Sequence, residues 1–179
     1  LMKASVNQKI TMARFANVAF SDGSLLHGFN QRLSKFQPLA VPNDIKRYFV
    51  TQQECEHMIN LGKNNLQPSV VSDGKGGHIS SGRTSKTAWI DHFHDDMVSN
   101  LSQRISNYVD IPIKNAEKYQ LVHYGETNEY KAHYDSWDHD GSEKTLRCIK
   151  YGGPRMLTAL VYLNKPEEGG STKFTKLNI

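Results

Sequence analysis

The spacing of apolar side chains changes along the chain, from a helical period in the first half to a period of two in the second. The first helical pattern follows Thr51, which stands three residues before Glu54 in a capping-box arrangement. The apolar and small positions of this pattern are Cys55, Met58, Ile59 and Gly62. The pattern predicts a helix of about three turns over residues 52–63.

A second helical pattern lies between Asp91 and Pro112. An apolar residue recurs at every fourth position, in the series Phe93, Met97, Leu101 and Ile105. This stripe predicts a helix that has Asp91 as its N-cap and buries one face. We expect the helix to end before Pro112, because proline cannot continue it. The glycine-rich segment 72–82 predicts a flexible loop ahead of this helix.

In the second half of the chain, apolar and polar residues alternate in four segments. These are residues 119–124, 131–137, 155–163 and 171–177. Turns that contain glycine and proline separate them, so we expect four antiparallel strands. Two helices followed by such strands predict an α+β or jelly-roll arrangement.

The chain divides into a weakly patterned start and a strongly patterned remainder. Residues 1–40 predict a peripheral N-terminal extension, and residues 41–179 predict one domain of ordinary size. The last strand pattern runs into Ile179 without a terminating signal. We therefore expect further strands of the domain beyond this position.

The composition is that of an ordinary globular protein, with 37% hydrophobic and 22% charged residues. No apolar run is long enough to predict a membrane-spanning helix. The net charge is +4, but the basic residues are scattered along the chain, so we expect no nucleic-acid partner. A basic groove for an anionic cosubstrate or a polar peptide is equally compatible with this charge.

The cellular compartment stays open. Cys55 and Cys148 are far apart in the sequence and fit neither a zinc knuckle nor a redox pair. The first acidic residue is Asp22, so residues 1–21 carry only basic charges. This start is compatible with the remnant of an organellar transit peptide and equally with ordinary N-terminal sequence.

The candidate chemistry lies in the segment that contains His133 and Asp135. Residues two apart on a strand point to the same face, so the predicted strand 131–137 would present this imidazole and this carboxylate together. They would supply two of the three ligands of a 2-His-1-carboxylate site, which leaves iron(II) open positions for an oxoacid and O2. The spacing alone is weak evidence, because it arises often by chance.

Several short motifs around this pair, taken in order, resemble the prolyl 4-hydroxylase family. They are Arg83-Thr-Ser85, Glu117, Leu121-Val-His-Tyr124-Gly, Tyr130-x-x-His133-x-Asp135, Gly152-Gly-Pro-Arg155, Tyr162-Leu and Glu168-Gly-Gly-Ser-Thr172-x-Phe174. The resemblance extends from about residue 40 to residue 179. It is closer to the algal, plant, viral and collagen-type enzymes than to the oxygen-sensing ones.

The resemblance implies a role for each motif residue. The metal ligands would be His133 and Asp135, and the residues lining the 2-oxoglutarate pocket would be Tyr124, Tyr162 and Thr172. The residues that hold the peptide substrate, or the loop that closes over it, would be Arg83, Ser85, Glu117, Tyr130 and Arg155. Arginine and tyrosine donors suit a polyproline II peptide, whose carbonyl groups are exposed.

The implied enzyme is an iron(II)- and 2-oxoglutarate-dependent dioxygenase that hydroxylates peptidyl proline at C4 and converts 2-oxoglutarate to succinate. The resemblance also implies L-ascorbate as a reductant, a double-stranded β-helix (jelly-roll) core with N-terminal supporting helices, and work in the secretory pathway. The family needs a second histidine ligand and a basic anchor for 2-oxoglutarate, which we expect after Ile179. Two alternatives stay open: a dioxygenase with another substrate, and a non-catalytic binding or scaffold subunit of a larger complex.

The remaining histidines have ordinary explanations. His92 and His94, two apart on a predicted helix, would point to different faces and make a poor chelate. The Asp138-His139-Asp140 segment predicts a solvated turn, with a role beside the metal or substrate as the alternative. His123 alternates away from Tyr124 and predicts a packed or surface residue.

Overall fold

The structure is a computed structural model, which describes residues 10–18, 49–73, 75–135, 140–150, 155–166, 168–173 and 175. It combines helices with antiparallel strands, so the α+β class is confirmed. The strands are β1 (Ile10–Val18), β2 (Gln67–Pro68), β3 (Val70–Val71), β4 (His78–Ile79), β5 (Lys86–Ile90), β6 (Tyr119–Tyr124) and β7 (Arg155–Tyr162). The helices are α1 (Gln52–Gly62), α2 (Asp96–Val109) and α3 (Glu143–Ile149), with a 3-10 turn at Ile113–Asn115.

Five of the strands form one antiparallel sheet in the order β2-β5-β6-β1-β7, and β3 pairs with β4 in a separate ribbon. The strand β1 is interior, between β6 and β7, which the weak patterning of residues 1–40 did not predict. Most of residues 1–40 lie outside the part of the chain that the structure describes. The division of the chain near residue 40 therefore stays a prediction.

The helix α1 begins and ends as its sequence predicts. The Thr51 hydroxyl accepts a hydrogen bond from the Glu54 amide at 3.2 Å, and the Glu54 carboxylate accepts one from the Thr51 amide at 2.8 Å. These reciprocal bonds satisfy backbone donors that have no partner within the helix. The Arg104 guanidinium of α2 donates to both Glu54 carboxylate oxygens at 2.8 Å, so the same side chain also joins the two helices.

The helix α2 begins later than the sequence predicts. Its N-cap is Asp95, whose carboxylate accepts from the Val98 amide at 2.9 Å, and not Asp91. Asp91 instead accepts from the Phe93 amide at 3.1 Å in a turn before the helix, which leaves Phe93 exposed. The buried residues of the helix are Val98, Leu101, Ser102, Ile105, Ser106 and Val109. The predicted burial of Leu101 and Ile105 is therefore confirmed, and the predicted burial of Phe93 is wrong.

The core lies between the two long helices and the centre of the sheet. Met58 of α1, Leu101 of α2 and Leu121 of β6 are each 1% exposed and belong to one apolar cluster. Helix and strand come unusually close at Gly62, where an added Cβ would lie 1.9 Å from Cδ2 of Leu121. Only glycine allows this approach of α1 to the sheet.

The predicted strands are confirmed in part. Residues 119–124 form β6 with the predicted bounds, and β7 covers all but the last residue of the predicted strand 155–163. The predicted strand 131–137 is wrong, because residues 131–135 are irregular and residues 136–137 lie outside the described ranges. Of the predicted strand 171–177, residues 171–173 and 175 are not extended in a sheet, and the rest is not described.

Two local features differ from the sequence expectation. The segment 72–82 is not wholly a loop, because His78–Ile79 pairs with Val70–Val71. The helix α3, which the sequence did not predict, starts after Ser142, whose hydroxyl accepts from the Thr145 amide at 3.2 Å. Among the residues that the structure describes, no helix is long and apolar enough to cross a bilayer.

Candidate functional site

The side chains of His133 and Asp135 converge although the segment that carries them is not a strand. Nε2 of His133 lies 3.4 Å from Oδ1 of Asp135, and each side chain is 36% exposed. Both belong to the irregular ligand loop, which we define as residues 125–135 and which follows β6. The predicted convergence is therefore present, whereas its predicted cause, the alternation of a strand, is wrong.

The backbone of the ligand loop orients the His133 ring. Nδ1 of His133 lies 2.8 Å from the carbonyl oxygen of Lys131. A carbonyl can only accept, so Nδ1 carries the proton and donates it. In the neutral ring, Nε2 then has a free lone pair that faces Asp135. A second ring nitrogen bonded to a backbone carbonyl is the usual arrangement for a metal-binding histidine.

Stacked side chains hold the His133 ring from one side. The ring of Tyr130 stacks on His133 with a centroid distance of 3.6 Å and an interplanar angle of 20°. The Arg83 guanidinium carbon lies 4.7 Å from the Tyr130 centroid, a cation–π contact. Arg83 itself is buried and donates to the Val70 carbonyl at 3.0 Å. Arg83, Tyr130 and His133 therefore form one stack that begins at the β3–β4 ribbon.

Two residues of β7 hold Asp135. The Thr158 hydroxyl donates to Oδ2 of Asp135 at 2.9 Å, and the Arg155 guanidinium donates to the Asp135 backbone carbonyl at 3.3 Å. The carboxylate is thus bound at one oxygen by Thr158, while its other oxygen faces His133. Thr158 was not among the residues identified from the sequence.

Arg155 is in turn fixed by Glu117. Nε and Nη2 of Arg155 donate to the two carboxylate oxygens of Glu117, the second at 2.7 Å, in a bidentate ion pair. The backbone carbonyl of Glu117 accepts a hydrogen bond from Nε2 of His92 at 2.7 Å. Bidentate pairing restricts the orientation of a guanidinium more than a single contact does. Glu117, which was predicted to hold the peptide, is therefore also connected to the ligand loop through Arg155.

His92 belongs to a buried polar network behind Glu117. Nδ1 of His92 lies 3.1 Å from the Ser102 hydroxyl, which also lies 3.1 Å from the Tyr119 hydroxyl. Burial lowers the pKa of His92, because water no longer stabilises the charged ring, and the bond to the Glu117 carbonyl only partly opposes this. Burial also raises the pKa of Tyr119 to about 12. The network is therefore neutral near pH 7, and His92 is a buried residue of the core.

The predicted 2-oxoglutarate residues are partly brought together. The hydroxyl of Tyr162, at the end of β7, lies 2.6 Å from the hydroxyl of Thr172. Tyr162 is 43% exposed, so its hydroxyl is accessible to a ligand. Tyr124 is buried beside Val122 and packs against Tyr130 of the stack. Binding of 2-oxoglutarate by Tyr124, Tyr162 and Thr172 therefore stays a prediction.

Ser85 lies in a different environment from the other predicted peptide contacts. Its hydroxyl is 2.9 Å from that of Ser69, which in turn is 2.6 Å from that of Thr87, and all three side chains are buried. The cluster joins β5 to the chain just before the β3–β4 ribbon. The predicted contact of Ser85 with substrate stays untested. The burial of its hydroxyl and its bond to Ser69 argue against that contact. The segment 138–140 falls mostly outside the described residues, and only Asp140 of it is described.

The signal that could have identified Thr158 lies in the strand pattern. Leu157, Ala159 and Val161 pack against the core, so the alternate residues Thr158, Leu160 and Tyr162 face the other way. Tyr162 was already a candidate from its motif. Residues two and four positions before it on the same face are therefore the first places to look for further site residues.

The pair fits a metal ion as two adjacent ligands. Ligand atoms at right angles and about 2.1 Å from a first-row metal lie about 3 Å apart. The 3.4 Å between Nε2 of His133 and Oδ1 of Asp135 is close to that spacing. Within the described ranges, no group of three or more histidine, cysteine, aspartate or glutamate residues could hold a metal ion. The spacing of the pair therefore suits two positions of the predicted site, and its role as a metal ligand stays a prediction.

A family model described as "Polysaccharide biosynthesis protein" matches residues 2–79. This match covers less than half of the chain and ends before Arg83, the first of the candidate site residues. It therefore says nothing about the ligand loop, β7 or the residues that they bring together.

Known proteins that match most of the chain have one name in common. Prolyl 4-hydroxylase 5 of Arabidopsis thaliana is 36% identical over 141 residues, which are 78% of this chain and 45% of that protein. Prolyl 4-hydroxylase 2 of the same plant is 37% identical over 128 residues, 70% of this chain and 41% of that protein. Probable prolyl 4-hydroxylase 8 is 36% identical over 128 residues, 70% of this chain and 42% of that protein. The chain spans less than half the length of these relatives.

These matches confirm the resemblance that the motifs of the second half indicate, and prolyl 4-hydroxylases are oxidoreductase enzymes. The chain belongs to the prolyl 4-hydroxylase family.

Proposed function

We propose that this chain carries active-site residues of an iron(II)- and 2-oxoglutarate-dependent dioxygenase that hydroxylates peptidyl proline at C4. The observation that carries the proposal is the convergence of His133 and Asp135 in a loop whose backbone leaves the imidazole lone pair facing the carboxylate. Family membership supports the reaction, and the geometry supports the two ligands.

The metal ligands would be Nε2 of His133 and Oδ1 of Asp135, together with a third ligand from elsewhere in the protein. Iron(II) held there would supply the oxidising chemistry, in which 2-oxoglutarate and O2 give succinate and CO2 while C4 of proline gains a hydroxyl group. The protein's own contribution is to fix the two ligand atoms, bind the cosubstrate and aim the prolyl ring at the metal. L-ascorbate would serve as the reductant that keeps the iron in its ferrous form.

The hydroxyls of Tyr162 and Thr172 would bind the distal carboxylate of 2-oxoglutarate. They lie 2.6 Å apart, so one hydroxyl donates to the other, and the second keeps its proton for a carboxylate oxygen placed beside the pair. Tyr124 would form a wall of the same pocket from β6.

The stack of Arg83, Tyr130 and His133 would place the peptide. Tyr130 is in contact with a metal ligand on one face, so a prolyl ring held near its hydroxyl or edge would lie close to the metal. Glu117 and Arg155 would present polar groups to the peptide backbone while they hold the ligand loop. Ser85 would act only indirectly on the peptide, because its hydroxyl is already bonded to Ser69 within the buried cluster.

The complete domain would have a jelly-roll core with α1 and α2 as its supporting helices. The antiparallel order of the five-stranded sheet and the helices packed on it support this arrangement. By the same family resemblance, the protein would work in the secretory pathway and could belong to a larger complex.

A turnover assay tests the proposal. The protein would be incubated with iron(II), 2-oxoglutarate and ascorbate, with poly-proline, collagen-like or lysine-containing peptides as alternative substrates. We expect succinate and 4-hydroxyproline in equal amounts with a proline peptide. Succinate formed only with a lysine peptide would indicate another substrate class. Iron binding without turnover on any peptide would indicate a binding or scaffold subunit and contradict the proposal.

A further inference from the structure

We propose that Thr158 is a positioning residue for the metal site, which it serves by orienting the carboxylate of Asp135. The inference rests on the proposed function, because it assumes that Asp135 is a metal ligand. It concerns a residue of β7 that none of the family motifs discussed above includes.

The hydrogen bond determines which carboxylate oxygen is available. An ionised carboxylate only accepts, so the Thr158 hydroxyl must donate its proton to Oδ2 of Asp135, at 2.9 Å. Oδ1 is then the oxygen directed at Nε2 of His133. The bond restricts rotation of the carboxylate about its last torsion, which has a broad energy profile, and so helps to fix the separation of the ligand atoms.

A local irregularity of β7 brings two residues to the same aspartate. Arg155 and Thr158 are three residues apart, so a regular strand would direct them to opposite faces. The pairing of β7 with β1 shifts between Asn17 and Val18, whose partners are Leu157 and Arg155, so β7 has one extra residue at this point. A bulge of this kind re-aims a side chain and is frequent beside active sites.

Arg155 and Thr158 act on different parts of Asp135. Arg155 binds the backbone carbonyl and so fixes the position of the loop, whereas Thr158 binds the side chain and so fixes its rotation. Second partners of metal-binding carboxylates commonly change metal affinity by about 10- to 100-fold when they are removed. We therefore expect the loss of the Thr158 hydroxyl to affect metal binding more than it affects folding.

The experiment measures cobalt(II) binding to the full chain, with cobalt(II) as a spectroscopic substitute for iron(II). The variants are Thr158→Val, which keeps the shape and removes the hydroxyl, and Thr158→Ser, which keeps the hydroxyl and removes the methyl group. We expect cobalt affinity to fall about 10- to 100-fold in the valine variant and to stay near the original value in the serine variant. Thr87→Val is the control, because its hydroxyl bonds to Ser69 in the same sheet and does not contact Asp135.

Each outcome decides the inference. Unchanged cobalt affinity in Thr158→Val, or equal losses in the valine and serine variants, would overturn it. If the valine variant does not fold, as thermal unfolding would reveal, Thr158→Ala and Thr158→Ser provide a second pair that differs only by the hydroxyl. If the unaltered protein binds no cobalt at all, the proposed function fails and this inference fails with it. Binding by the unaltered protein with no difference between the variants contradicts this inference alone.

Discussion

The helical layer and the ligand loop of this protein are held together by different interactions. The helical layer, made of α1, α2, β5 and β6, buries apolar side chains such as Met58, Leu101 and Leu121 almost completely. The ligand loop is irregular, and its side chains His133 and Asp135 remain 36% exposed. Ring stacking and hydrogen bonds to β7 determine its geometry.

The difference teaches that stability and ligand geometry are largely separable here. Apolar burial is not directional and contributes to the free energy of folding roughly in proportion to the area removed from water. Hydrogen bonds to Asp135 are directional and decide where its oxygens lie, although each contributes little to net stability. Changes in one region should therefore affect folding, and changes in the other should affect metal binding.

Asp135→Ala should have the largest effect and breaks the ligand loop alone. Under the proposed function the change removes one of the metal's ligand atoms, so we expect cobalt affinity to fall by more than about 100-fold, beyond the range for second partners of a ligand. The side chain is partly exposed, so the midpoint of thermal unfolding should change little. Titration followed by absorption, with a melting curve of each protein, measures both quantities.

Asp140→Ala provides the control for this substitution. Asp140 is an exposed aspartate that follows the ligand loop in the sequence and accepts a hydrogen bond from the nearby Ser142 amide at 2.9 Å. Its removal should leave cobalt affinity unchanged. Comparable losses in the two variants would mean that general negative charge, and not the Asp135 ligand, attracts the metal.

Gly62→Ala should have the next largest effect and breaks the helical layer alone. The added Cβ would lie 1.9 Å from Cδ2 of Leu121, which is 1% exposed and has little room to move. Overpacking of this kind costs about 1–3 kcal/mol, which denaturant unfolding would measure. Below the unfolding transition, cobalt affinity should be unchanged. Gly82→Ala is the matched control, because its nearest neighbour would be at 3.4 Å; equal destabilisation of both variants would contradict the steric cause.

Acidification should have the smallest effect and tests the network that connects the two regions. The pKa of His92 is lowered from 6.5 by burial, so the unfolded chain takes up a proton more readily than the folded one. The stability that neutral His92 provides is present above pH 6.5 and is lost as the pH falls through the folded-state pKa. We expect the melting temperature to fall in this window, and to fall less in His92→Gln. Identical pH profiles of the two proteins would contradict the assignment to His92.

The sequence predicts α1 and β6 of the helical layer well because their signals are local, whereas it did not predict β5. The capping box of Thr51 and Glu54 lies within four residues, and it fixes the start of α1 correctly. Alternation alone predicts β6 with its observed bounds. The start of α2 was misplaced because two aspartates, Asp91 and Asp95, stand four residues apart and either can cap a turn. The choice between them depends on packing, which pattern does not contain.

For the ligand loop, the sequence predicted that two side chains converge but not the backbone conformation that brings them together. Strand alternation predicted the convergence of His133 and Asp135, which is present, but the strand from which it was predicted is wrong. Two hydrogen bonds orient the side chains instead. Nδ1 of His133 donates to the Lys131 carbonyl, and the hydroxyl of Thr158, a residue 23 positions beyond Asp135, donates to the Asp135 carboxylate. Contacts between residues so distant in sequence leave no periodic signal. The interior position of β1 was unpredictable for the same reason.

The extra residue of β7 makes spacing as important as identity in this part of the chain. Removal of one residue between Arg155 and Leu157 would restore even pairing with β1 and turn Arg155 to the opposite face. Every residue that contacts Asp135 would still be present in such a chain, in the same order. A related sequence could therefore match all the motifs and yet lack the arrangement, and only the count of residues between Arg155 and Thr158 would reveal it.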